Sequence, residues 1–140
     1  MSAWLPDFLD AFERHRADGE LLYNEKRWAN ADHMYGMAAE CGLKAVMVGL
    51  GMAVDSTGVP QRPHKVHVDH LWILFSTFAT TQGAAAYAAM LPTANPFDDW
   101  SVNDRYAHRT NFVQGRVDTH RQGFVQVDEI VITAVMDGRI

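Results

Sequence analysis

The chain has 140 residues, of which 48% are hydrophobic and 21% are charged. This composition is typical of a globular domain with a buried core, and it excludes an intrinsically disordered chain. The formal net charge of −5 disfavours a protein that binds nucleic acid through its overall charge, but a local basic patch remains compatible with such binding. We predict a single domain over residues 1–140.

The single cysteine, Cys41, excludes an internal disulfide and is typical of a reducing compartment. Its apolar neighbours predict a small core residue rather than a nucleophile. The N-terminal stretch lacks the basic flank and apolar run of an export signal, and the longest apolar run, from Ala45 to Val54, is too short to cross a bilayer. We therefore expect a cytoplasmic protein with no membrane association.

Hydrophobic periodicity predicts four long helices and one short one. The first ends near Gly19, and the others run from about 25 to 52, from 65 to 90 and from about 118 to 135. The apolar face of the first helix carries Trp4, Leu5, Phe8, Leu9 and Phe12. The residues of the last helix that are predicted to face the core are Phe124, Val127, Ile130, Val131, Ala134 and Val135. The capping-box spacing of Ser101 and Asp104 predicts the start of the short helix. The predicted fold is all-α, an antiparallel helical bundle, with a strand as the alternative for the β-branched stretch 125–135.

The second helix is apolar on most sides from Met34 onward, which predicts a central helix packed by several others. A stripe of polar residues is also predicted along it. His33, Glu40 and Lys44 recur at spacings that place them on one helical face. Because buried charges are costly unless paired, two interpretations stay open. Glu40 and Lys44 either form an ion pair at the edge of the core or face a functional groove.

A second polar cluster follows a loop that contains Phe97 and Trp100. An arginine there can bind phosphate in a bidentate manner, and a histidine can act as the general base of metal-independent RNA cleavage. The alternative is an arginine that forms a salt bridge with Glu40 or Asp104 and ties the loop to the bundle. The cluster consists of Asp104, Arg105, Tyr106, His108 and Arg109.

Three histidines, His64, His67 and His70, resemble a metal site at first sight. Their spacing spreads them too widely around a helix, and the chain contains no Glu-x-x-His pair of the di-iron type. No glycine-rich phosphate loop, Gly-x-Ser-x-Gly, His-Glu-x-x-His or Cys-x-x-Cys motif occurs either. We predict no metal and no cofactor.

Three segments together resemble bacterial HEPN-like proteins: residues 29–44 (ANADHMYGMAAECGLK), Asn95–Phe97 (NPF) and Trp100–Tyr106 (WSVNDRY). The resemblance implies a helical bundle that is often dimeric. Members of the family include metal-independent ribonucleases, toxins paired with nucleotidyltransferase antitoxins, and inactive binding modules, so the resemblance implies a class of protein rather than one activity.

Active members of that family carry an arginine followed by four to six residues and a histidine, late in the chain. Here the late pair, Arg116 and His120, has only three residues between its members. Arg27 with His33 and Arg62 with His67 fit the spacing, but roughly one such pair is expected by chance, so these matches carry little information. This departure weakens the prediction of ribonuclease activity and leaves the prediction of the bundle unchanged.

The leading hypothesis is a module that binds RNA, a nucleotide or a partner protein, in stress or defence. The predicted groove is lined by Glu40, Lys44, Arg105 and Tyr106, with Asp104 as a further ligand-binding candidate. The alternatives are a metal-independent ribonuclease, in which His108 or His33 is the base and Arg105 stabilises the phosphorane, and a purely structural subunit. We expect a homodimer, with a nucleotidyltransferase as the alternative partner.

Overall fold

The computed structural model describes residues 4–140. Within that range the chain is helical, and its sole extended pairing is an isolated bridge between Val54 and Pro60. The prediction of an all-α helical bundle is confirmed, and the stretch 125–135 is helix rather than strand. The helices of the described range are α1 (Phe8–Asn24), α2 (Trp28–Gly49), α3 (Val68–Thr81), the short α4 (Ala85–Ala88) and α5 (Gln114–Met136).

Helix α2 is the centre of the bundle, as its apolar sequence predicted. It packs against α1, α3 and α5, and most of its residues from Ala31 to Met47 are buried. Helix α1 runs antiparallel to it, because Gly19 contacts Tyr35 while Phe12 contacts Gly42. A helix covered on several sides must be apolar almost all round, which is why α2 has so few charged residues.

The predicted bounds of the first helix are wrong at both ends. Helix α1 continues to Asn24, so Gly19 lies inside the helix and does not end it. The glycine lets the Tyr35 ring of α2 approach closely. It begins at Phe8, and Trp4 and Leu5 lie outside it with 89% and 67% exposure. The residue before a proline is disfavoured in helical conformation, so Pro6 separates Leu5 from the helix.

The predicted third helix, 65–90, is broken into α3 and α4. Gly83 adopts a φ of +74°, and the N–H of Ala84 bonds back to the carbonyl of Ala79, which ends α3. Glycine is favoured in this left-handed position at a helix end. The break was missed because small apolar residues lie on both sides of it.

The last helix begins at Gln114, earlier than predicted, and its buried residues recur from Val117 to Ala134. Among its predicted core residues Val135 is wrong, since it is 49% exposed. It lies about 100° around the helix from the buried Ala134, at the edge of the buried stripe. The core positions that are confirmed are Phe124, Val127, Ile130, Val131 and Ala134.

The loop between α4 and α5 is anchored by two buried rings. Phe97 and Trp100 are 0% and 1% exposed, and each lies against a glycine of a long helix. A Cβ on Gly36 would lie 2.0 Å from Trp100, and one on Gly123 would lie 2.7 Å from Phe97. The two glycines therefore provide the space that fixes this loop on the bundle.

The predicted short helix follows the loop as a 3₁₀ helix, Val102–Tyr106, which we call the capped 3₁₀ helix. Its predicted capping box is confirmed: Ser101 Oγ accepts from the N–H of Asn103, and Asp104 accepts from the N–H of Ser101. Two further 3₁₀ turns occur at Arg62–His64 and Arg109–Asn111. Over the described residues, no helix is both long and apolar enough to cross a membrane.

Candidate functional site

Glu40 and Lys44 form a buried ion pair. They are 6% and 7% exposed, and Lys44 Nζ donates to Glu40 Oε2 over 3.0 Å. The other Glu40 oxygen, Oε1, lies 2.8 Å from His67 Nδ1. Because both carboxylate oxygens are engaged by neighbouring side chains, this pair has the character of a link between α2 and the start of α3.

Arg105 and Tyr106 lie elsewhere, on the capped 3₁₀ helix. Their side chains are exposed, and the Arg105 guanidinium carbon lies 4.8 Å from the centre of the Tyr106 ring. Arg105 faces the first residues of α2, whereas Glu40 lies about 15 Å further along that helix from Asn30. The structure therefore does not bring the predicted groove residues Glu40 and Lys44 together with Arg105.

A cavity of about 660 Å³ lies between the start of α2 and the segment that follows Trp100. Four exposed cations line it, and among the described lining residues the single acid is Asp104. We call it the basic cavity. Its lining consists of Lys26, Arg27, Trp28, Ala29, Asn30, Asp104, Arg105, Ala107, Arg109 and Thr110.

The basic cavity contains the N-terminus of α2. Trp28, Ala29 and Asn30 form its first turn, whose N–H groups have no acceptor within a helix. The N-cap residue, Arg27, makes no side-chain capping bond. The first turn, all of which the structure describes, contains no acid. The positive end of the helix dipole therefore adds to the four side-chain cations.

Lys26 has an unusual backbone conformation at the edge of this cavity. Its φ is +58°, and no other non-glycine residue that the structure describes has a positive φ. It occupies the left-handed position of the turn from α1 to α2, where the N–H of Arg27 bonds to the carbonyl of Leu22 over 2.8 Å. Glycine is the usual residue there, so a lysine costs about 1 kcal/mol. Strain of this kind is typical of functional positions.

Sequence reasoning missed a buried polar network next to the cavity. His120 is 0% exposed, its Nδ1 lies 2.5 Å from Asp32 Oδ1, and its Nε2 lies 2.7 Å from Asp99 Oδ1. Burial by itself lowers the pKa of His120, but the hydrogen bonds and charges of Asp32 and Asp99 outweigh it and raise that pKa. The geometry is that of an imidazolium with a carboxylate at each ring nitrogen.

Arg116 extends this network towards the basic cavity. Its Nη1 donates to Asp99 Oδ2 over 3.1 Å, and its Nη2 donates to the Asp99 carbonyl over 2.7 Å and to Asp104 Oδ2 over 3.1 Å. Its Nε lies 3.7 Å from Asp32 Oδ2. The predicted arginine tie between loop and bundle thus exists, with Arg116 rather than Arg105 as the arginine.

A signal for part of this network was present in the sequence. Arg116 and His120 are one turn apart on α5 and formed the late pair whose spacing departs from that of active HEPN-like proteins. The sequence contains no signal for Asp32, in the apolar helix α2, or for Asp99, in the loop, because neither has its partner near it in the sequence. Only the packing of α2, α5 and the loop brings them together.

The two predicted histidine bases have different environments. His33 is half-buried and stacks on Trp100, with ring centres 5.8 Å apart. Burial and the positive charge of Arg105 lower its pKa, so the ring is neutral at pH 7. His108 is exposed, and its Nδ1 accepts the N–H of Thr110 over 3.2 Å. A neutral His108 in this arrangement carries its proton on Nε2, which is then a donor and not a base.

The three histidines near the start of α3 contact different partners. His67 contacts Glu40, His64 packs edge-on against Phe78, and His70 lies 3.5 Å from Asp69. Within residues 4–140 there is no group of three His, Cys, Asp or Glu side chains that could hold a metal ion. Cys41 is buried, as predicted, and burial raises the pKa of its thiol to about 12.

The chain was compared with family models, curated proteins and solved structures, and none of them matches it.

Proposed function

We propose that this protein is a binding module for a nucleotide, whose phosphates occupy the basic cavity. The observation that carries the proposal is the convergence of Lys26, Arg27, Arg105 and Arg109 on the N-terminus of α2. The acid in the lining, Asp104, is already paired with Arg116 at 3.1 Å. The cavity therefore has an excess of positive charge that suits a polyphosphate.

The distribution of charge favours a compact ligand over a long RNA strand. Four of the 12 basic residues but only one of the 17 acids line the cavity, which leaves the rest of the chain with 8 basic residues, 16 acids and a formal charge of −8. A strand that extends beyond the cavity would meet this acidic remainder. A nucleotide places all its phosphates within the cavity and avoids that repulsion.

Two lining arginines, the first turn of α2 and the ring of Tyr106, which lies beside the lining residue Arg105, have roles in this proposal. Arg105 and Arg109 donate to phosphate oxygens, which arginine binds in a bidentate manner. The N–H groups of the first turn of α2 bind a further oxygen. Tyr106 is 77% exposed beside Arg105 and offers a ring on which a base can stack.

The resemblance to HEPN-like proteins supports the same proposal, because that family includes binding modules without ribonuclease activity. The setting that we propose is stress or defence. The spacing of Arg116 and His120 and the engagement of both His120 ring nitrogens by carboxylates favour such a module over an active ribonuclease. His120 is 0% exposed and cannot reach a substrate hydroxyl.

The test is calorimetric titration of the protein with ATP, ADP and AMP in EDTA, at an ionic strength of about 50 mM, where screening is weak. We expect affinity to rise with the number of phosphates. Arg105→Ala and Arg109→Ala should each weaken ATP binding about tenfold or more, since a hydrogen bond to a charged group contributes about 1.5–3 kcal/mol. Arg62→Ala, which removes an exposed arginine outside the cavity, is the matched control and should bind as the wild type does.

Failure of ATP to bind at millimolar concentration, or an equal loss of affinity in the control, would overturn the proposal. End-labelled RNA incubated with the same proteins in EDTA distinguishes the ribonuclease alternative. Cleavage that disappears in both Arg105→Ala and His108→Ala would assign that activity instead.

A further inference from the structure

The two carboxylates that face His120 define the state of its ring. A neutral imidazole has one donor and one acceptor nitrogen, so it can satisfy only one of two carboxylates. With Asp32 at 2.5 Å and Asp99 at 2.7 Å, a neutral ring would direct a lone pair at a carboxylate oxygen. The arrangement is stable only while both ring nitrogens carry protons.

We propose that His120 is a positioning residue that holds the basic cavity in its binding conformation only while its ring is protonated. The inference rests on the proposed function, because its readout is the affinity of the same cavity for a nucleotide. It also makes a claim about the bundle that is measurable without any ligand.

Loss of the proton would release Asp99 rather than Asp32. The Asp32 side chain is 0% exposed, on the central helix, with Arg116 Nε 3.7 Å from its second oxygen. The Asp99 side chain is 55% exposed and belongs to the loop. A neutral His120 therefore keeps its bond to Asp32 and leaves Asp99 to turn towards water, where a carboxylate is readily solvated.

Release of Asp99 reaches the cavity through Arg116. Arg116 binds both the side chain and the carbonyl of Asp99, and the same guanidinium holds Asp104. Asp104 in turn caps the 3₁₀ helix by accepting the N–H of Ser101 over 3.0 Å. Arg105 is the next residue, so its position at the cavity depends on this chain of contacts.

Side chains from α2, from the loop and from α5 surround the His120 ring. Asp32 faces it from α2 and Asp99 from the loop, while Arg116 precedes it by one turn on α5. The ring of Phe97 stacks on it, with centres 5.3 Å apart. Among these described groups, the carboxylates of Asp32 and Asp99 favour the protonated ring. Asp99 is the carboxylate that can turn away from the ring into water.

The experiment measures ATP affinity between pH 7 and 9.5 in a Lys26→Arg background, in which no cavity cation titrates. Phosphate groups are already ionised over this range. We expect affinity to fall about tenfold or more as the pH rises. In the same background, Asp99→Asn should abolish this dependence, because the amide can donate to the unprotonated Nε2 while its oxygen still accepts from Arg116.

A second readout needs no ligand. NMR of the His120 ring reports its protonation, and the hydrogen-exchange protection factor of the Ser101 amide reports the cap made by Asp104. The protection factor should fall as the ring titrates in the wild type, and it should stay constant in Asp99→Asn.

The outcomes separate this inference from the proposed function. If ATP does not bind at pH 7, the proposed function fails while the ring and amide measurements still test the positioning role. If the ring titrates but the Ser101 protection factor does not change, the inference is overturned. The same holds if His120 keeps its proton up to pH 9.5, or if Asp99→Asn retains the pH dependence of the wild type.

Discussion

Arg116 Nη2 donates to Asp104 Oδ2 over 3.1 Å, and this bond joins α5 to the capped 3₁₀ helix. Arg116 also holds the Asp99 carbonyl, so a single guanidinium fixes both ends of the segment from Asp99 to Asp104. The planar fork of arginine is suited to such multiple contacts. Arg105 and Arg109, which line the basic cavity, follow this segment in the chain.

Lys26→Gly should stabilise the fold while it weakens ligand binding. Glycine relieves the strain of φ +58°, which is worth about 1 kcal/mol in the free energy of unfolding, but removes one cavity cation. Urea denaturation and calorimetric titration with ATP measure the two effects. Lys26→Ala removes the charge and keeps the strain, so it should weaken binding without stabilising the protein. An unchanged stability of Lys26→Gly would show that the turn is not strained.

The stability of the wild type should fall as the pH rises above 7. The pKa of folded His120 is raised above its unfolded value of about 6.5, so the folded state holds a proton that the unfolded state has lost. The free energy of unfolding should therefore fall by up to about 1.4 kcal/mol per pH unit until the folded pKa is reached. Urea denaturation at pH 7, 7.8 and 8.5 gives this slope.

The pH window for that measurement limits the contributions of the other groups with perturbed pKa values. The pKa values of His15 and His33 are lowered in the folded state, so these rings contribute a slope of the opposite sign, which fades as the pH rises above their unfolded pKa of about 6.5. An exposed cysteine thiol has a pKa of about 9.0 and burial raises the pKa of Cys41 further, so this thiol stays protonated over most of the window. Asp99→Asn is the control, and its slope should be smaller than that of the wild type. Equal slopes in both proteins would contradict the assignment to His120.

Gly36→Ala should destabilise the protein by about 3 kcal/mol, because the added methyl would lie 2.0 Å from the Trp100 ring and force it from its position. Gly115→Ala is the matched control: it also lies in a helix, and a Cβ there meets nothing within 4 Å. That control should be neutral or stabilising by up to about 1 kcal/mol. Urea denaturation followed by tryptophan fluorescence measures both. A small effect of Gly36→Ala would mean that the loop can shift without loss of packing.

Lys44→Met should destabilise the fold by about 3 kcal/mol and leave ATP affinity unchanged. It removes one partner of a buried pair and leaves the Glu40 charge with His67 alone. Glu40→Leu combined with Lys44→Met should recover most of the loss, because it leaves no unpaired buried charge. Urea denaturation and ATP titration of the three proteins check this. Weaker ATP binding by folded Lys44→Met would show instead that the pair contributes to ligand binding.

The local features of the fold could be predicted from the sequence. Periodicity indicated the long helices, the apolar character of α2 indicated its central place, and Ser101 with Asp104 indicated the capped turn. The break at Gly83 could not be predicted, because a glycine in a helical pattern can lie inside a helix or end it, and tertiary packing decides between the two. Sequence spacing also correctly indicated that Glu40 and Lys44 can pair, but it could not tell a buried pair from an exposed one.

The sequence by itself determined the helical class, the central helix, the 3₁₀ cap and the cluster that contains Arg105 and Arg109. Only the tertiary structure decided that these arginines face Lys26 and the start of α2, and that His120 lies between two carboxylates. The physical reason is distance along the chain. Helical periodicity relates residues three or four apart, whereas Asp32 and His120 are separated by 88 positions and meet only through packing.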